Sequence, residues 1–264
     1  MDRQTAHTCL GLAEQLADVA RVETLAHFRR RDVVADNKLS DGFDPVTEGD
    51  RAAEAAMRTL IETRRPSDGI LGEEFGRKTS TSGLTWVLDP IDGTRGYISG
   101  TPTWGTLIAL HDSAKPVLGV IDQPYIGERF LGGFGKAWVE GPMGKAPLRV
   151  SNVTELSDAT IVTTYPEVGT EDEGAAFHAL ARQCKLTRYG MDCYGYALLA
   201  LGQVELVVEA GLQPYDIQAP IAVIEAAGGI VTNWNGGPAD GGGQVVASAT
   251  PELHAAALQV LDPS

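Results

Sequence analysis

Residues 86–100 read WVLDPIDGTRGYISG, and everything else in the chain can be organised around how this stretch turns. An apolar run, Trp86 to Leu88, ends on Asp89; Pro90 follows, then Ile91, a second acid at Asp92, and Gly93-Thr94. The residue ahead of a proline is pushed to extended backbone, so Asp89 is expected to finish a strand. Pro90 then sets a corner, across which Asp92 is expected on the same side as Asp89. Gly93 would let the backbone approach a ligand closely, and Thr94 to Tyr97 would begin a helix whose first N–H groups can meet an anion. Two carboxylates, a carbonyl at Ile91, a hydroxyl and free amides are the parts of a metal-plus-phosphate site. All-oxygen donors select hard cations, Mg²⁺ foremost when phosphate is the co-ligand. The same DPxD pattern also reads as an Asx-type turn in which the acids serve only the backbone. Local spacing leaves both readings open.

Upstream, Leu12, Leu16, Val19, Val22 and Leu25 recur at helical spacing and predict an amphipathic helix. The polar stretch ADNKLSDGFDP (35–45) breaks it. Thr47 then reads as an N-cap with Asp50 three residues on, and Ala53, Met57, Leu60 and Ile61 supply the apolar face of a second helix. Downstream from Leu84 the runs TWVLD, WGTLIALH, PVLGVID and ERFLGGFGKAWVE are β-prone and divided by turn residues, which predicts antiparallel hairpins. After a Gly/Pro/Lys-rich passage near 140–150, strand-like and helix-like segments alternate to the C-terminus, as in a layered α/β protein. Two subdomains are therefore expected, 1–145 with the antiparallel sheet and 146–264 with the strand–helix alternation.

Bulk properties narrow the function. The 264 residues suffice for a full core, and a formal net charge of −14 argues against binding a nucleic-acid backbone, which needs clustered Lys and Arg. An acidic protein can still bind a phosphorylated small molecule if metal ions supply the positive charge. Three cysteines, Cys9, Cys184 and Cys193, show no metal-ligand spacing, there is no signal-like N-terminus and no apolar run of spanning length. The expected setting is cytoplasmic, away from membranes. GGFGK (132–136) lacks Walker spacing, the five histidines form no HExxH, and GYISG is not a GxSxG elbow.

Beyond geometry, WVLDPIDGTRGYISG resembles the signature of the inositol monophosphatase superfamily, whose members are Mg²⁺-dependent phosphatases. DPVTEGDRAAE (44–54), LGEEFG (71–76) and EAGLQPYDIQAPIAVIEAAGGIVTNW (209–234) resemble three further blocks of that family, in family order. Four matching blocks set the simple turn reading aside. The resemblance implies an α/β fold of layered αβαβα form, a homodimer, and two or three Mg²⁺ ions. It implies Glu73, Asp89, Asp92, Asp216 and the Ile91 carbonyl as metal ligands, and Thr94 with Glu73 positioning or deprotonating the attacking water. By the same match Gly93 and Thr94 amides hold phosphate oxygens, while Asp50 and Glu74 support the site or a third, weaker metal position; both also read as ordinary supporting or capping acids.

The segments GTRGYISG, RYGMDCYGYALLALGQVELVVEAGLQPYD and EAAGGIVTNW are most similar to the histidinol-phosphate phosphatases of this superfamily. That narrower likeness implies Glu209 and Asp192 as contacts to the non-phosphate part of a small phosphorylated metabolite. Asp192 equally reads as an N-cap for the helix that follows it. Arg95 reads as a substrate contact, an ion-pair partner of a site acid, or a solvated residue. Met191 stands where a small residue is usual and is expected to reshape the pocket. The rival readings are a phosphatase for inositol-1-phosphate or another sugar or nucleotide phosphate on the same core, and a non-catalytic regulatory protein that kept the fold.

Overall fold

A computed structural model describes residues 1–30, 35–37 and 45–262. The middle of the polar stretch predicted to follow the first helix, 38–44, lies outside the described residues. In chain order the elements are α1 (Arg3–His27), β1 (Ala35–Asn37), β2 (Pro45–Thr47), α2 (Glu48–Arg64), β3 (Gly69–Gly72), β4 (Gly76–Lys78), β5 (Thr85–Asp92), α3 (Thr94–Ser99), β6 (Gly105–His111), β7 (Pro116–Gln123), β8 (Glu128–Gly133), β9 (Lys136–Gly141) and β10 (Gly144–Pro147). The second half adds β11 (Thr160–Thr163), α4 (Glu171–Ala181), β12 (Leu186–Tyr189), α5 (Asp192–Ala200), β13 (Leu206–Leu212), α6 (Pro214–Ala226), β14 (Ile230–Thr232), β15 (Gly243–Ser248) and α7 (Pro251–Leu261).

Two sheets carry the architecture. An eight-stranded sheet runs β10-β9-β8-β7-β6-β5-β3-β4, and a five-stranded sheet runs β12-β11-β13-β15-β14. Helices α1 and α2 cover one face of the large sheet through Leu12, Leu16, Met57 and Ile61 against Trp86, Leu88, Ile108 and Leu110. α5 and α6 fill the space between the sheets, and α4 and α7 close the outer face of the small one around Phe177 and Leu253. The result is the αβαβα layering. Its largest core joins Leu107, Ile121 and Phe130 of the first half to Tyr196, Ile217 and Val223 of the second, so the two halves share one interior.

The hairpins predicted from Leu84 onward form, with the run 128–140 divided at Phe134-Gly135 into β8 and β9. Two local expectations need correction. Val22 and Leu25 of α1 are exposed, at 66% and 37%, and the buried stripe continues instead through Ala20 and Thr24. Helical geometry carries the face from Leu16 and Ala17 to Ala20 and Thr24, and small residues suffice where α1 lies close to α2. Strand β5 does not stop at Asp89 either. It runs on through Pro90 to Asp92, and its pairing with β6 slips between Asp89 and Asp92. Pro90 has no N–H to give the ladder, so an irregularity there is where a strand tolerates it. The slip also re-aims the chain: acids three apart in a regular strand would face opposite sides.

The placement of α6 depends on two glycines paired across β7 and β8, Gly119 and Gly132. A Cβ on Gly119 would lie 2.2 Å from the Ala219 carbonyl oxygen, and one on Gly132 would lie 2.4 Å from Val223 Cα. The helix backbone therefore rests directly on the sheet, and Pro214 at its first turn fixes where it begins. That start is what brings Asp216 to β5.

Candidate active site

Asp89, Asp92 and Asp216 converge where β5 ends and α6 begins, with one carboxylate oxygen of each within 4.8 Å of the others. Each acid also spends a hydrogen bond on one backbone amide. Asp89 Oδ1 accepts from Ile91 N at 3.1 Å, Asp92 Oδ2 from Cys193 N at 2.7 Å, and Asp216 Oδ2 from Gln213 N at 2.7 Å. The Asx-type turn is thus real, and it coexists with the cluster: one bond orients the carboxylate and the remaining lone pairs face the other acids. Asp216 is the third residue of α6 in a capping box with Gln213, so the helix start both needs and holds it.

Glu73 joins them through strand pairing. β3 lies parallel to β5 with Gly72 opposite Leu88, and Glu73 N donates to the Leu88 carbonyl at 3.2 Å. Glu73 thereby stands beside Asp89 and interacts with its carboxyl. Burial, followed by the charges of Glu73, Asp92 and Asp216, pushes the Asp89 carboxyl far above the usual carboxylate range. Burial, then Asp216 and Asp192, does the same to Asp92. Like charges held this close in a buried site cannot all stay ionised without compensation. An oxygen-only donor set with that much negative charge fits hard divalent cations.

The structure also shows what holds the Glu73 loop, which the sequence reading missed. Glu54 of α2 is fully buried, and its Oε2 accepts from Glu74 N at 2.8 Å while its Oε1 accepts from Phe75 N at 3.2 Å and from Arg58 Nε at 2.7 Å. Its carboxylate occupies the space beside Gly72, where a Cβ would come within 1.9 Å of Oε1. The available signal was an acid one residue after Ala53, inside a helix face that otherwise buries apolar groups.

Thr94 Oγ1 donates to the Ile91 carbonyl at 3.1 Å, so the hydroxyl and the carbonyl expected at the site are bonded to each other. Gly93 precedes α3 with φ of +82°, and the Asp192 carboxyl packs against it, 2.7 Å from where a Cβ would stand. Only glycine meets both demands. Asp50 caps α2, accepting from Thr47 N at 2.8 Å. Burial above all, with Glu73 and Glu74 adding repulsion against the Thr47 bonds, raises its carboxyl to about 7. Asp50 and Glu74 therefore stand within electrostatic reach of one another on the Glu73 side of the site, and the capping reading of Asp50 holds.

A cavity of about 420 Å³ opens over this cluster. Asp192 and Glu209 line it, and neither is a helix cap. Met191 holds the cap position of α5, while Asp192, at φ of +46°, accepts from Thr103 Oγ1 at 3.0 Å. The N-cap reading of Asp192 fails because its side chain turns back toward α3. Glu209, on β13, accepts from Thr163 Oγ1 at 3.1 Å, Thr164 N at 2.8 Å and Thr164 Oγ1 at 2.9 Å. Burial raises its carboxyl to about 7 against those bonds. Arg95 is exposed at the mouth, its guanidinium 5.0 Å from the Tyr165 ring centroid and close enough to Asp192 to favour that residue's charge. Met191 packs against the shared core and does not line the cavity, so the reshaping expected of it is not found. Thr164, Tyr165 and Tyr196 line this wall and Thr163 supports Glu209 from behind it, and the sequence patterns point to none of the four.

Comparison with known proteins fits this geometry. The profile of the inositol monophosphatase family matches residues 6–263. A chloroplastic bifunctional phosphatase of Arabidopsis thaliana, IMPL2, is 39% identical over 94% of this chain and 73% of its own length. A histidinol-phosphatase of Chlorobaculum parvum is 38% identical over 86% of each chain. Among solved structures, an inositol monophosphatase from Zymomonas mobilis superposes with a TM-score of 0.86 at 38% identity, covering 97% of this chain and 98% of that one.

Proposed function

The chain belongs to the inositol monophosphatase family, and from that we propose a Mg²⁺-dependent phosphatase that hydrolyses L-histidinol phosphate to L-histidinol and phosphate. The observation that carries the chemistry is the convergence of Asp89, Asp92 and Asp216, each pinned by a backbone amide. With Glu73 and the Ile91 carbonyl they would hold two ions, and two divalent charges would offset four carboxylates. Bound there, the ions supply Lewis-acid stabilisation of the charge on the transferring phosphoryl group. The chain does the rest. Glu73, beside Asp89, takes the proton of the attacking water, and Thr94, whose hydroxyl hydrogen is given to the Ile91 carbonyl, orients that water by accepting from it. The Gly93 and Thr94 amides, at the start of α3, hold phosphate oxygens. Asp50, through its cap on α2, and Glu74 support the Glu73 side of the site, where a third, weaker metal position would lie. The water attacks phosphorus directly, the bond from phosphorus to the ester oxygen breaks, and the L-histidinol oxygen leaves with a proton from solvent, with no phosphoenzyme.

The acids of the wall support the substrate. Histidinol phosphate carries an amine and an imidazole, and a pocket walled by Glu209 and Asp192, with Arg95 at its rim, offers them carboxylates. The Chlorobaculum parvum histidinol-phosphatase supports the same choice. The likeness to the Zymomonas mobilis inositol monophosphatase favours a second reading, inositol-1-phosphate or a related phosphate on the same core. The first reading carries with it a cytoplasmic homodimer in histidine biosynthesis. Initial rates of the purified protein with Mg²⁺ on histidinol phosphate, inositol-1-phosphate and a nucleotide phosphate test it. A kcat/KM for histidinol phosphate at least about tenfold above the others is expected; parity with inositol-1-phosphate would overturn the assignment.

A further inference from the structure

β5 and β6 are in register with Asp89 opposite Leu107 and again with Asp92 opposite Gly105, so Thr106 alone faces both Pro90 and Ile91 across the slip. Thr106 is fully buried on an interior strand whose other edge is paired with β7. Its Oγ1 donates to the Pro90 carbonyl at 2.7 Å. Packing does not call for that hydroxyl, since valine has nearly the same shape and suits a strand equally well. What the hydroxyl adds is one bond, and the bond falls on the peptide that lies between two acids of the cluster.

The Pro90 carbonyl and the Ile91 N–H are opposite ends of one planar, trans peptide unit. Ile91 N donates to Asp89 Oδ1 at 3.1 Å, so the unit is held at both ends, by Thr106 at its oxygen and by Asp89 at its hydrogen. The peptide plane thus fixes where Asp89 Oδ1 must lie, and Thr106 fixes the plane. Pro90 locks its own φ, which leaves rotation of this plane as the soft motion at the corner. A donor on the carbonyl also polarises the unit and strengthens its N–H. Resting on the two-metal reading of the site, we propose that Thr106 is a positioning residue for the metals: through the Pro90–Ile91 peptide it aims the Asp89 carboxylate and sets where Ile91, the carbonyl ligand, begins. Without the hydroxyl, the buried carbonyl turns toward another partner, the plane turns with it, and Asp89 loses the amide that orients it. The loss falls on metal affinity and not on substrate contacts, because Thr106 lies behind the floor and does not line the cavity.

The test uses the full-length protein, stripped of metal with a chelator and titrated with Mg²⁺ in a calorimeter, beside rates on histidinol phosphate over a series of Mg²⁺ concentrations. Thr106→Val is expected to raise the Mg²⁺ dissociation constant about tenfold, as loss of a group that orients a metal ligand does. The Mg²⁺ concentration for half-maximal rate should rise in step, with KM for histidinol phosphate at saturating Mg²⁺ unchanged. Thr106→Ser, which keeps the hydroxyl, should restore both. Leu110→Val, on the same strand in the core under α1 and α2, measures what lost stability alone does and should keep the wild-type Mg²⁺ affinity. If Thr106→Val does not fold, Thr106→Cys, whose thiol is a weaker donor, is expected to weaken Mg²⁺ binding partway. Wild-type Mg²⁺ affinity in the valine or cysteine variant, no recovery in Thr106→Ser, or an equal loss in Leu110→Val overturns the positioning role. A wild-type protein that binds no Mg²⁺ overturns the parent reading instead, and that is seen before any variant is made.

Discussion

The floor and the side wall of the cavity both bury carboxylates, and they hold them by different means. On the floor, Asp89, Asp92 and Asp216 each take one backbone amide and bring a carboxylate oxygen to within 4.8 Å of the others. On the wall, Glu209 takes three hydrogen bonds from Thr163 and Thr164 and faces open cavity. The floor is arranged for cations held between acids, the wall for a ligand held against one. Such a division lets a family keep one reaction and vary its substrate, since side chains on β13 and α5 can change without moving the acids on β5.

The sharpest way to break this comparison is Asp92→Asn. Asparagine can still accept from Cys193 N, so the fold should persist, while activity is expected to fall on the order of a thousandfold. Because burial and Asp216 work against the charge of Asp92, the metal-free variant should melt at or above the wild-type temperature. Near-normal turnover by this variant would mean the floor does not hold the metals.

Glu54→Gln comes next. The amide would present a donor to Glu74 N or Phe75 N, loosening the loop that carries Glu73. Metal affinity or activity is expected to drop about ten- to a hundredfold, as for residues that orient metal ligands. Raising Mg²⁺ should recover part of the rate. A loss indifferent to Mg²⁺ concentration would assign Glu54 to general stability.

The smallest effect is on the wall and is read through pH. The Glu209 carboxyl is raised from 4.5 to about 7, so the folded protein favours its neutral form. The destabilisation is absent below pH 4.5, grows as pH rises, and is complete above about 7, amounting to about 3 kcal/mol. Glu209→Gln removes it. The variant's melting temperature relative to wild type, measured by thermal unfolding in Mg²⁺ buffer, should be more favourable at pH 8 than at pH 5. An identical offset at both values would show that Glu209 is ionised throughout.

Much of this was legible along the chain. The break in regular strand at Pro90, the helix start that carries Asp216 and the strand–helix alternation after residue 150 are encoded within a few residues, because proline geometry, capping and apolar period act locally. Other features had a faint local signal that a wider reading would have used, such as the acid at Glu54 on a buried face. Val22 and Leu25 mislead because apolar side chains also occur on exposed helix surfaces, and alanines can line the closer contact.

By itself the sequence determined that WVLD would be strand, that TRGYIS would begin a helix, and that Asp89 and Asp92 would come to one side across Pro90. Tertiary structure decided the rest. The parallel register of β3 on β5 sets Glu73 beside Asp89, and the glycine pair under α6 lets Asp216 reach both. Cys193 N closes on Asp92 from 101 residues away, and the Thr106 hydroxyl reaches the Pro90 carbonyl from the neighbouring strand. Pairing register and helix-on-sheet contact are long-range, and they depend on shapes assembled from distant parts of the chain. A local spacing rule has no access to them.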